Sequence, residues 1–321
     1  MIYFFSDPHI YSFENLYPLY LECRSRDIEC YMDAEFIYQG ENIPREAKSH
    51  RGLSNLEKIN NGTLPEPKLI IINQCWWRRG AQILKQFSKQ SIPVITTEHG
   101  SPMLYYGEGA YRGNLRGSVS HPTWGNVGRD IMVKLGCQSI QVPPLGSPRL
   151  DYYFSRKPKN KIKKNEAVIF GTKSEGTKPW NVDINNKVKI IQSKHNSVKF
   201  KGKILGPLKL LDLESIDKDF SSNEFYELFN SINHAYFWFP SSLITIAKIM
   251  GCKTYALYSD SHCKYTSNYF NEHKDHIFPY NIEGEINRDL DATFLSNNLT
   301  PNGIDNILNY ILNEKSFNIN N

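Results

Sequence analysis

The sequence lacks the patterns that would place it at once in several common classes of protein. Its six cysteines form no C-x-x-C pair, which argues against a zinc knuckle and against a redox pair of that kind. A chain of 321 residues can build its own hydrophobic core and does not depend on a disulfide framework. No apolar run approaches membrane-spanning length, and the first residues, M-I-Y-F-F-S-D-P-H, do not form a signal peptide. We therefore expect a cytoplasmic protein.

The charge of the chain is too small to indicate binding to nucleic acid. The formal net charge is +5, and basic and aromatic residues do not interleave in clusters. Such a charge suits an anionic ligand or an acidic membrane surface. The three histidines of residues 262–276 have spacings that match no recognised set of metal ligands, so a solvated loop is the better interpretation. We expect neither a metal nor another cofactor.

What the sequence does contain is a regular alternation of short apolar runs and helix-like segments. This alternation predicts an α/β protein with parallel sheets covered by helices on both faces. Residues 155–165, S-R-K-P-K-N-K-I-K-K-N, are lysine-rich and lack apolar periodicity. Because the alternation restarts after them, we predict two Rossmann-like domains, 1–154 and 166–321, with a ligand cleft between them. The last helix either stays in the second domain or crosses back to the first.

The boundaries of the predicted elements follow from the apolar runs and the turn residues between them. The strands are predicted at 2–5, 27–31, 68–73, 93–97, 139–143, 167–171, 197–201, 235–240 and 253–258. The helices are predicted at 13–26, 80–90, 126–135, 182–193, 222–232, 242–250 and 303–312. Gly136 stands where a helix C-cap is expected.

One predicted strand ends in residues suited to catalysis. Residues 94–102 read V-I-T-T-E-H-G-S-P, so Glu98 and His99 follow the apolar run directly. The carboxyl ends of parallel strands hold ligands, and a histidine there can act as a general base that a neighbouring carboxylate orients. Gly100 leaves room for a substrate. Spacing alone leaves open the alternative of a surface histidine after a strand.

Two serines stand where an anion is expected to bind. Ser241 and Ser242 lie between the apolar run A-Y-F-W-F-P and an apolar-periodic helix. Free N–H groups, hydroxyls and the helix dipole at such a position all favour a phosphate. An ordinary N-cap is the alternative, but it accounts for only one serine. Thr172 and Lys173, in F-G-T-K-S-E-G after another predicted strand, either reach phosphate oxygens or form a polar turn.

The order of short motifs along the chain resembles a known family. After H-G-S-P (99–102) come H-P-T-W-G-N-V-G-R-D-I-M-V-K-L-G (121–136) and G-S-P-R-L-D (146–151). This order is similar to that of the CDP-glycerol glycerophosphotransferases of teichoic acid synthesis and of related capsule glycosyltransferases with the GT-B fold. The similarity extends over about residues 68–260. Leu150 departs from the family's G-x-P-R-N-D.

The resemblance implies roles for particular residues. His99 matches the histidine that takes the proton of the acceptor hydroxyl, and Glu98 is its candidate partner. Ser241 and Ser242, with Pro240 before them, match the segment that holds the donor phosphates.

At two other positions the sequence differs from its relatives. Lys248 lies near the place where relatives carry an acidic residue. The family's second histidine, commonly in an H-P pair, has its nearest counterpart in His195 of Q-S-K-H-N-S, without the proline.

Three further residues are candidates for binding an anionic acceptor. Trp76 lies in Q-C-W-W-R-R-G (74–80), where its ring either meets the acceptor or packs inward, and packing is the interpretation that we favour. Arg112 and Arg116 lie in Y-Y-G-E-G-A-Y-R-G-N-L-R-G (105–117). The glycines of this segment are typical of a loop that closes over a cleft.

These features predict a metal-independent transferase. It would move a sugar or a polyol phosphate from a CDP-, CMP- or UDP-linked donor to a hydroxyl of a polysaccharide or glycolipid acceptor. It would work in the cytoplasm or at the inner face of the membrane, where the lysine-rich linker could meet acidic lipids. One alternative is a nucleotide-sugar epimerase of the same fold, although no convincing set of acid and base carboxylates is found. The other is a nucleotide-binding protein without catalysis.

Overall fold

The computed structural model describes twelve stretches of the chain, and every structural statement below concerns these stretches. They are residues 1–6, 10–34, 55–73, 78–97, 118–134, 136–158, 165–171, 184–202, 212–216, 220–237, 242–257 and 299–313. They form two compact units. The first contains the described residues up to 152 together with 299–313, and the second contains those from 153 to 257.

The helices and strands alternate along the chain as predicted. In chain order they are β1 (Ile2–Ser6), α1 (Ile10–Ser25), β2 (Cys30–Ala34), α2 (Asn55–Asn60), β3 (Leu69–Asn73), α3 (Arg78–Lys89), β4 (Val94–Thr97), α4 (Asn126–Lys134), α5 (Pro148–Phe154), β5 (Glu166–Phe170), α6 (Ile184–Lys194), β6 (Ser197–Lys201), β7 (Glu214–Ile216), α7 (Ser222–Ser231), β8 (His234–Phe237), α8 (Leu243–Ile249), β9 (Lys253–Ala256) and α9 (Gly303–Asn313). A 3-10 helix, Ser139–Gln141, lies between α4 and α5.

The first unit is built on a parallel sheet with the strand order β2-β1-β3-β4. Every residue of β1, β3 and β4 is buried, as expected where helices cover both faces. On one face Phe4 and Ile71 pack with residues of α1 and α9. On the other face Phe5 and Ile72 pack with Phe87 of α3. The continuous apolar runs of the sequence therefore become the two-sided core of this unit.

The prediction of a strand at 139–143 is wrong, because residues 139–141 form the 3-10 helix. Pro143 and Pro144, which follow, have no N–H group to donate to a strand ladder. Residues 118–120 lie beside β4 instead. The N–H of Val119 donates to the carbonyl of Val94, and the N–H of Thr96 donates to the carbonyl of Ser120. The edge of the first sheet is thus completed by a segment that the sequence left unassigned.

Gly136 lies just beyond the end of α4, where the sequence predicts a C-cap. Gly136 has φ +95°, and its N–H donates to the carbonyl of Val133. The N–H of Cys137 donates to the carbonyl of Met132. Both bonds satisfy carbonyls that the end of a helix leaves without partners inside the helix.

Helix α9 belongs to the first unit, which is one of the two placements that the sequence left open. The predicted bounds 166–321 of the second domain had included it. Ile307, Leu308 and Ile311 lie in the core that α1 and the first sheet share. Because this side of α9 is apolar, its burial against α1 contributes roughly 1.5–3 kcal/mol for each large side chain. Hydrophobic packing thus holds α9 against α1, the first helix of the chain.

The second unit is built on a parallel sheet with the strand order β7-β6-β5-β8-β9. On one face Ile169 and Phe200 pack with Ile191 of α6. A cluster of phenylalanines forms elsewhere in this unit. The ring of Phe170 lies 4.8 Å from that of Phe237 and 5.5 Å from that of Phe229, measured between ring centroids. The predicted α/β fold with two Rossmann-like domains is confirmed.

Candidate functional site

The order of strands identifies one point in each sheet where a ligand is expected. In the first sheet the chain passes from β1 outward to β2, and then returns to β3 and continues outward to β4 on the other side. In the second sheet it passes from β5 to β6 and β7, and then returns to β8 and β9. Ligands of open α/β sheets bind at the carboxyl ends of the strands where this reversal occurs. The two points are therefore the carboxyl ends of β1 and β3, and those of β5 and β8.

The carboxyl ends of the first sheet carry buried polar side chains. Ser6, Asn73 and Thr97 are the last residues of β1, β3 and β4, and all three are buried. The side-chain amide of Asn73 donates to the hydroxyl of Thr97 at 2.8 Å. A buried polar side chain costs free energy unless it is hydrogen-bonded, so this pair stabilises one particular arrangement of the two strand ends. The strand that leads to the predicted catalytic residues is thereby fixed to its neighbour.

Several predicted site residues of this unit lie outside the described residues. Glu98 and His99 follow Thr97 directly in the sequence, but the structure describes neither of them. The same holds for Trp76, Arg112 and Arg116. Their roles stay predictions.

The carboxyl ends of β5 and β8 lie next to the predicted donor-binding segments. Thr172 and Lys173 directly follow Gly171, the last described residue after β5. Pro240 and Ser241 follow β8 by a few residues. All four lie outside the described residues. Gly171 has no room for a Cβ atom, which would collide with the ring of Phe200. A glycine is therefore required where the chain leaves β5.

Ser242 is described, and it stands immediately before α8. Its backbone is already helical, with φ −59° and ψ −17°, and its hydroxyl does not cap the helix. The ordinary N-cap interpretation of this serine is therefore wrong. Lys248 lies in the last turn of the same helix, where a cation is favoured by the helix dipole.

His195 lies at the opposite edge of the second sheet from the predicted donor site. It follows α6 and precedes β6, so it belongs to the amino ends of the strands. Its Nδ1 lies 2.8 Å from Oδ1 of Asn165, and its Nε2 lies 2.8 Å from the hydroxyl of Tyr236. The ring of His234 is 4.5 Å away between centroids. Burial, followed by the charges of His234 and Lys194, lowers the pKa of His195 to about 4.

This arrangement indicates a neutral, structural histidine. Neutral His195 can donate from Nδ1 to the Asn165 amide oxygen while Tyr236 donates its hydroxyl proton to Nε2, so that both ring nitrogens are satisfied. The hydrogen bonds join the start of β5, the end of α6 and β8. The prediction that His195 is the second functional histidine gains no support from this position.

A buried histidine that the sequence analysis did not single out lies beside β4. The Nδ1 atom of His121 is 2.7 Å from the hydroxyl of Thr96, which is 3.3 Å from that of Ser118. Burial lowers the pKa of His121 to about 4, so the ring is neutral near pH 7. The H-P-T-W-G motif at 121–125 was visible in the sequence, but nothing in it indicated that the ring would be buried against the sheet.

The motif G-S-P-R-L-D at 146–151 joins parts of the first unit to one another. The hydroxyl of Ser147 donates to Oδ1 of Asn15 at 2.8 Å, and Arg149 forms a buried ion pair with Glu14 of α1 at 3.4 Å. These contacts give Ser147 and Arg149 a structural role within the first unit.

The first and last residues of this motif both contact the chain at the start of α9. The carboxylate of Asp151 accepts the N–H groups of Gly303 and Ile304 at 2.9 and 2.8 Å. Gly146 has φ +96°, and a Cβ atom on it would collide with the carbonyl oxygen of Thr300. The motif therefore caps α9 and holds it against the first unit.

The described residues show neither a metal centre nor a membrane-spanning helix. Among these residues no three His, Cys, Asp or Glu side chains group as a metal ion would require. None of their helices is both long and apolar enough to cross a bilayer.

The structure is similar to solved structures of nucleotide-sugar enzymes and of a wall polymer synthase. The UDP-N-acetylglucosamine 2-epimerase from Rickettsia bellii has 11% sequence identity and a TM-score of 0.62, over 100% of this chain and 98% of its own. The UDP-GlcNAc 2-epimerase from Neisseria meningitidis, solved with UDP-GlcNAc bound, has 13% identity and a TM-score of 0.59, over 97% and 100%. The wall teichoic acid polymerase TagF has 13% identity and a TM-score of 0.53, over 99% and 89%.

No protein-family model matches the sequence, and no curated protein matches it. Similarity at identities of 11–13% establishes the fold alone. The resemblance to CDP-glycerol transferases in particular stays a prediction. Two parallel-sheet units and neighbours of this kind show that the chain has the GT-B fold.

Proposed function

We propose that this protein binds a nucleotide-activated donor in its second unit and transfers the activated sugar or polyol phosphate to a hydroxyl group. The observation that carries the proposal is the sequence position of the candidate donor-binding residues. Thr172 and Lys173 follow β5, and Ser241 and Ser242 follow β8, the two strands at which the sheet order reverses. Ligands of open α/β sheets bind there.

The chemistry of these residues suits the phosphates of such a donor. The hydroxyl of Ser242 is not consumed by capping α8, which supports its use as a donor of a hydrogen bond to a ligand. Hydrogen bonds to charged groups contribute roughly 1.5–3 kcal/mol each. Lys173 adds a positive charge that offsets the charge on the departing nucleotide, so that no metal ion is needed. That nucleotide is a diphosphate after transfer of a sugar from UDP, and CMP after transfer of a polyol phosphate from a CDP-linked donor.

In the first unit, His99 is the proposed base. An acceptor hydroxyl is a weak nucleophile near pH 7, and a positioned base contributes roughly 10²–10⁴-fold to the rate. His99 takes the hydroxyl proton while the acceptor oxygen bonds to the donor and the bond to the nucleotide breaks. The hydrogen bond between Asn73 and Thr97 supports this role, because it fixes the strand end two residues before His99. Glu98 is the proposed partner that orients the imidazole.

The proposed acceptor is a hydroxyl of a surface polysaccharide or glycolipid. This part rests on the motif order shared with teichoic acid and capsule transferases, and on the fold shared with the polymerase TagF. Arg112, Arg116 and Trp76 are the residues proposed to contact it.

The first experiment is a donor screen. Melting temperatures are measured with CDP-alcohols, CMP-sugars, UDP-sugars and GDP-sugars, each against its free nucleoside at the same concentration. A donor present at about 100 times its dissociation constant stabilises the folded state by about 2.7 kcal/mol. A clear upward shift with one nucleotide class supports the proposal, and no shift with any class contradicts it.

A second candidate function is epimerisation of a UDP-sugar. The observation that favours it is the similarity to two UDP-GlcNAc 2-epimerases over 97–100% of this chain. These two proteins share the fold at low identity, so the comparison alone does not choose between the activities.

One assay separates the two functions. The protein is incubated with UDP-GlcNAc, without and with a polysaccharide acceptor, and the products are separated by chromatography and weighed by mass spectrometry. Epimerisation gives an isomer of unchanged mass without an acceptor. Transfer releases UDP and increases the mass of the acceptor. The transferase proposal is contradicted if an isomer of UDP-GlcNAc forms and the mass of the acceptor does not increase.

A further inference from the structure

The imidazole of His121 contacts β4, the strand that leads to the proposed base. This strand ends at Thr97, two residues before His99 in the sequence. The Nδ1 atom of His121 lies 2.7 Å from the hydroxyl of Thr96, and only 1% of the residue is exposed. The proposed function uses neither His121 nor Thr96. A ring that is buried to this extent can influence the reaction only through the protein groups that it contacts.

The backbone around His121 is fixed by hydrogen bonds on both sides. The N–H of His121 donates to the carbonyl of Gln141 at 2.6 Å, and the N–H of Thr123 donates to the carbonyl of Pro143 at 3.0 Å. On the other side, residues 118–120 are hydrogen-bonded to β4. Because the segment is held between β4 and residues 141–143, the imidazole contacts the strand from a rigid support.

The hydroxyl of Thr96 belongs to a short chain of buried polar groups. Its oxygen lies 3.3 Å from the hydroxyl of Ser118, on the opposite side from the contact with His121. The hydroxyl of Ser118 donates in turn to the carbonyls of Ser120 and Val94, at 2.6 and 3.0 Å. A buried hydroxyl costs free energy when its hydrogen bonds are lost, so these contacts favour a single position of the Thr96 side chain.

The last two residues of β4 are held on opposite faces of the sheet. Val94 packs in the core beside α3, and Ile95 packs in the core beside α1 and α9. Because successive side chains of a strand alternate between faces, Thr96 lies on the side of Val94 and Thr97 on the side of Ile95. Thr97 accepts the hydrogen bond from Asn73 on its own face. The imidazole on Thr96 therefore completes the fixation of the strand end.

We propose that His121 is a positioning residue: through the hydroxyl of Thr96 it fixes the direction in which the chain leaves β4, and thereby the place of His99. This inference rests on the proposed function, in which His99 is the base. Burial lowers the pKa of His121 to about 4, so the neutral ring adds no positive charge near that base. A displacement of about 1 Å can lower a rate by about a hundredfold, so a small shift of the strand end is measurable.

The test measures turnover with the donor found by the screen, at a temperature where circular dichroism shows every variant to be folded. Thr96→Val keeps the shape of the side chain and removes the hydroxyl, and His121→Leu removes the imidazole. Each should lower kcat by about tenfold or more, because His99 is displaced. The KM of the donor should stay near that of the wild type, since the donor is proposed to bind in the second unit.

Conservative variants distinguish the hydrogen bond from the volume of the ring. An asparagine amide offers both a donor and an acceptor near the position of Nδ1, so His121→Asn should restore most of the wild-type kcat. His121→Gln places its amide near the position of Nε2 and should not restore it. Thr96→Val combined with His121→Leu should lower kcat no further than the more damaging single change, because both remove the same contact. Independent, multiplying effects would overturn the proposal.

A matched control separates positioning from stability. Ser147→Ala removes another buried hydrogen bond of the first unit, the one to Asn15 at 2.8 Å. It should lower the melting temperature by a similar amount and leave kcat unchanged. If Thr96→Val and His121→Leu lower kcat no more than Ser147→Ala does, His121 only stabilises the fold and the proposal is wrong.

His99→Ala in the same assay shows which of the two proposals fails. If His99→Ala keeps its turnover, the proposed function is wrong and the positioning role with it. If His99→Ala loses turnover while Thr96→Val keeps the wild-type kcat, only the positioning role is wrong. Should His121→Leu not fold, Thr96→Val and His121→Asn decide the question by the same criteria.

Discussion

The strands at which the strand order reverses end in different kinds of residue in the two sheets. In the first sheet β1, β3 and β4 end in Ser6, Asn73 and Thr97, which are polar and buried. In the second, β5 and β8 end in Phe170 and Phe237, whose rings stack with centroids 4.8 Å apart. Polar side chains at a strand end can direct a reacting group through hydrogen bonds. The stacked rings at the ends of β5 and β8 instead form an apolar contact between the two strands.

This difference supports different proposed roles for the two units. The polar ends of the first sheet fix the strand that precedes Glu98 and His99. In the second unit the residues proposed to bind an anion, Lys173 among them, follow β5 and β8 in the sequence. On this account the first unit supplies the base and the second binds the donor.

The largest expected effect is on turnover when the base is removed. His99→Ala and His99→Gln should each lower turnover by at least about a hundredfold, because the acceptor hydroxyl then loses its proton acceptor. Donor affinity and melting temperature should stay near those of the wild type. Steady-state kinetics with the donor found by the screen measures this, and near-normal turnover in either variant would remove His99 from the mechanism.

The next effect is on donor affinity when the serines are removed. Ser241→Ala combined with Ser242→Ala should weaken donor binding by about a hundredfold or more, since each of the two hydroxyls contributes roughly 1.5–3 kcal/mol to the binding of a charged ligand. The control is Ser193→Ala with Ser231→Ala, two exposed serines that bond to carbonyls of their own helices. Isothermal titration measures both. Equal affinity in the two double variants would contradict the donor site.

A smaller effect is expected on stability when the polar strand ends of the first sheet are altered. Asn73→Leu leaves the Thr97 hydroxyl buried without its amide donor, which should cost about 1–3 kcal/mol of unfolding free energy. If the hydrogen bond also positions His99, kcat should fall more than KM changes. Urea denaturation and kinetics check the two effects. Asn309→Ala, on the exposed side of α9, is the control, and equal stability in the two variants would show that the polar pair is dispensable.

The smallest effect concerns the pH dependence of stability. The pKa of His195 is lowered to about 4 in the folded state by burial, His234 and Lys194. The unfolded chain therefore takes up the proton first as the pH falls below the ordinary value near 6.5, and the stability that His195 provides is lost between about pH 6.5 and 4. His195→Gln should flatten this loss without abolishing it, because His121 titrates in the same range.

Melting temperatures at pH 7.5 and pH 5 measure this effect. The difference between the two temperatures should be smaller in His195→Gln than in the wild type, while turnover at pH 7.5 is kept. If turnover of His195→Gln falls steeply while the pH dependence of its melting temperature stays that of the wild type, His195 is a functional histidine.

The fold could be predicted from the sequence wherever an element has a continuous apolar run. The strand predicted at 197–201 has the observed bounds, and L-I-I-I-N forms β3 as expected. Three elements were not predicted: α2, which has no buried residue, α5, which has seven residues, and β7, which has only three. Such elements carry too little apolar periodicity to be distinguished from loops.

The roles of polar side chains were harder to predict, because their partners are distant in the sequence. The carboxylate of Asp151 caps a helix that begins 152 residues later. Likewise, the partner of His195 is Tyr236, 41 residues away on another strand. A motif reveals which residues are used together, but only the packed structure shows whether they bind a ligand or hold the fold.

The most direct test of the central claim is a crystal structure with the nucleotide that gives the largest thermal shift. The account predicts that the phosphates of the nucleotide lie at the carboxyl ends of β5 and β8, within hydrogen-bonding distance of Ser242. A nucleotide bound between the ends of β1 and β3, or at the amino edge beside His195, would contradict it.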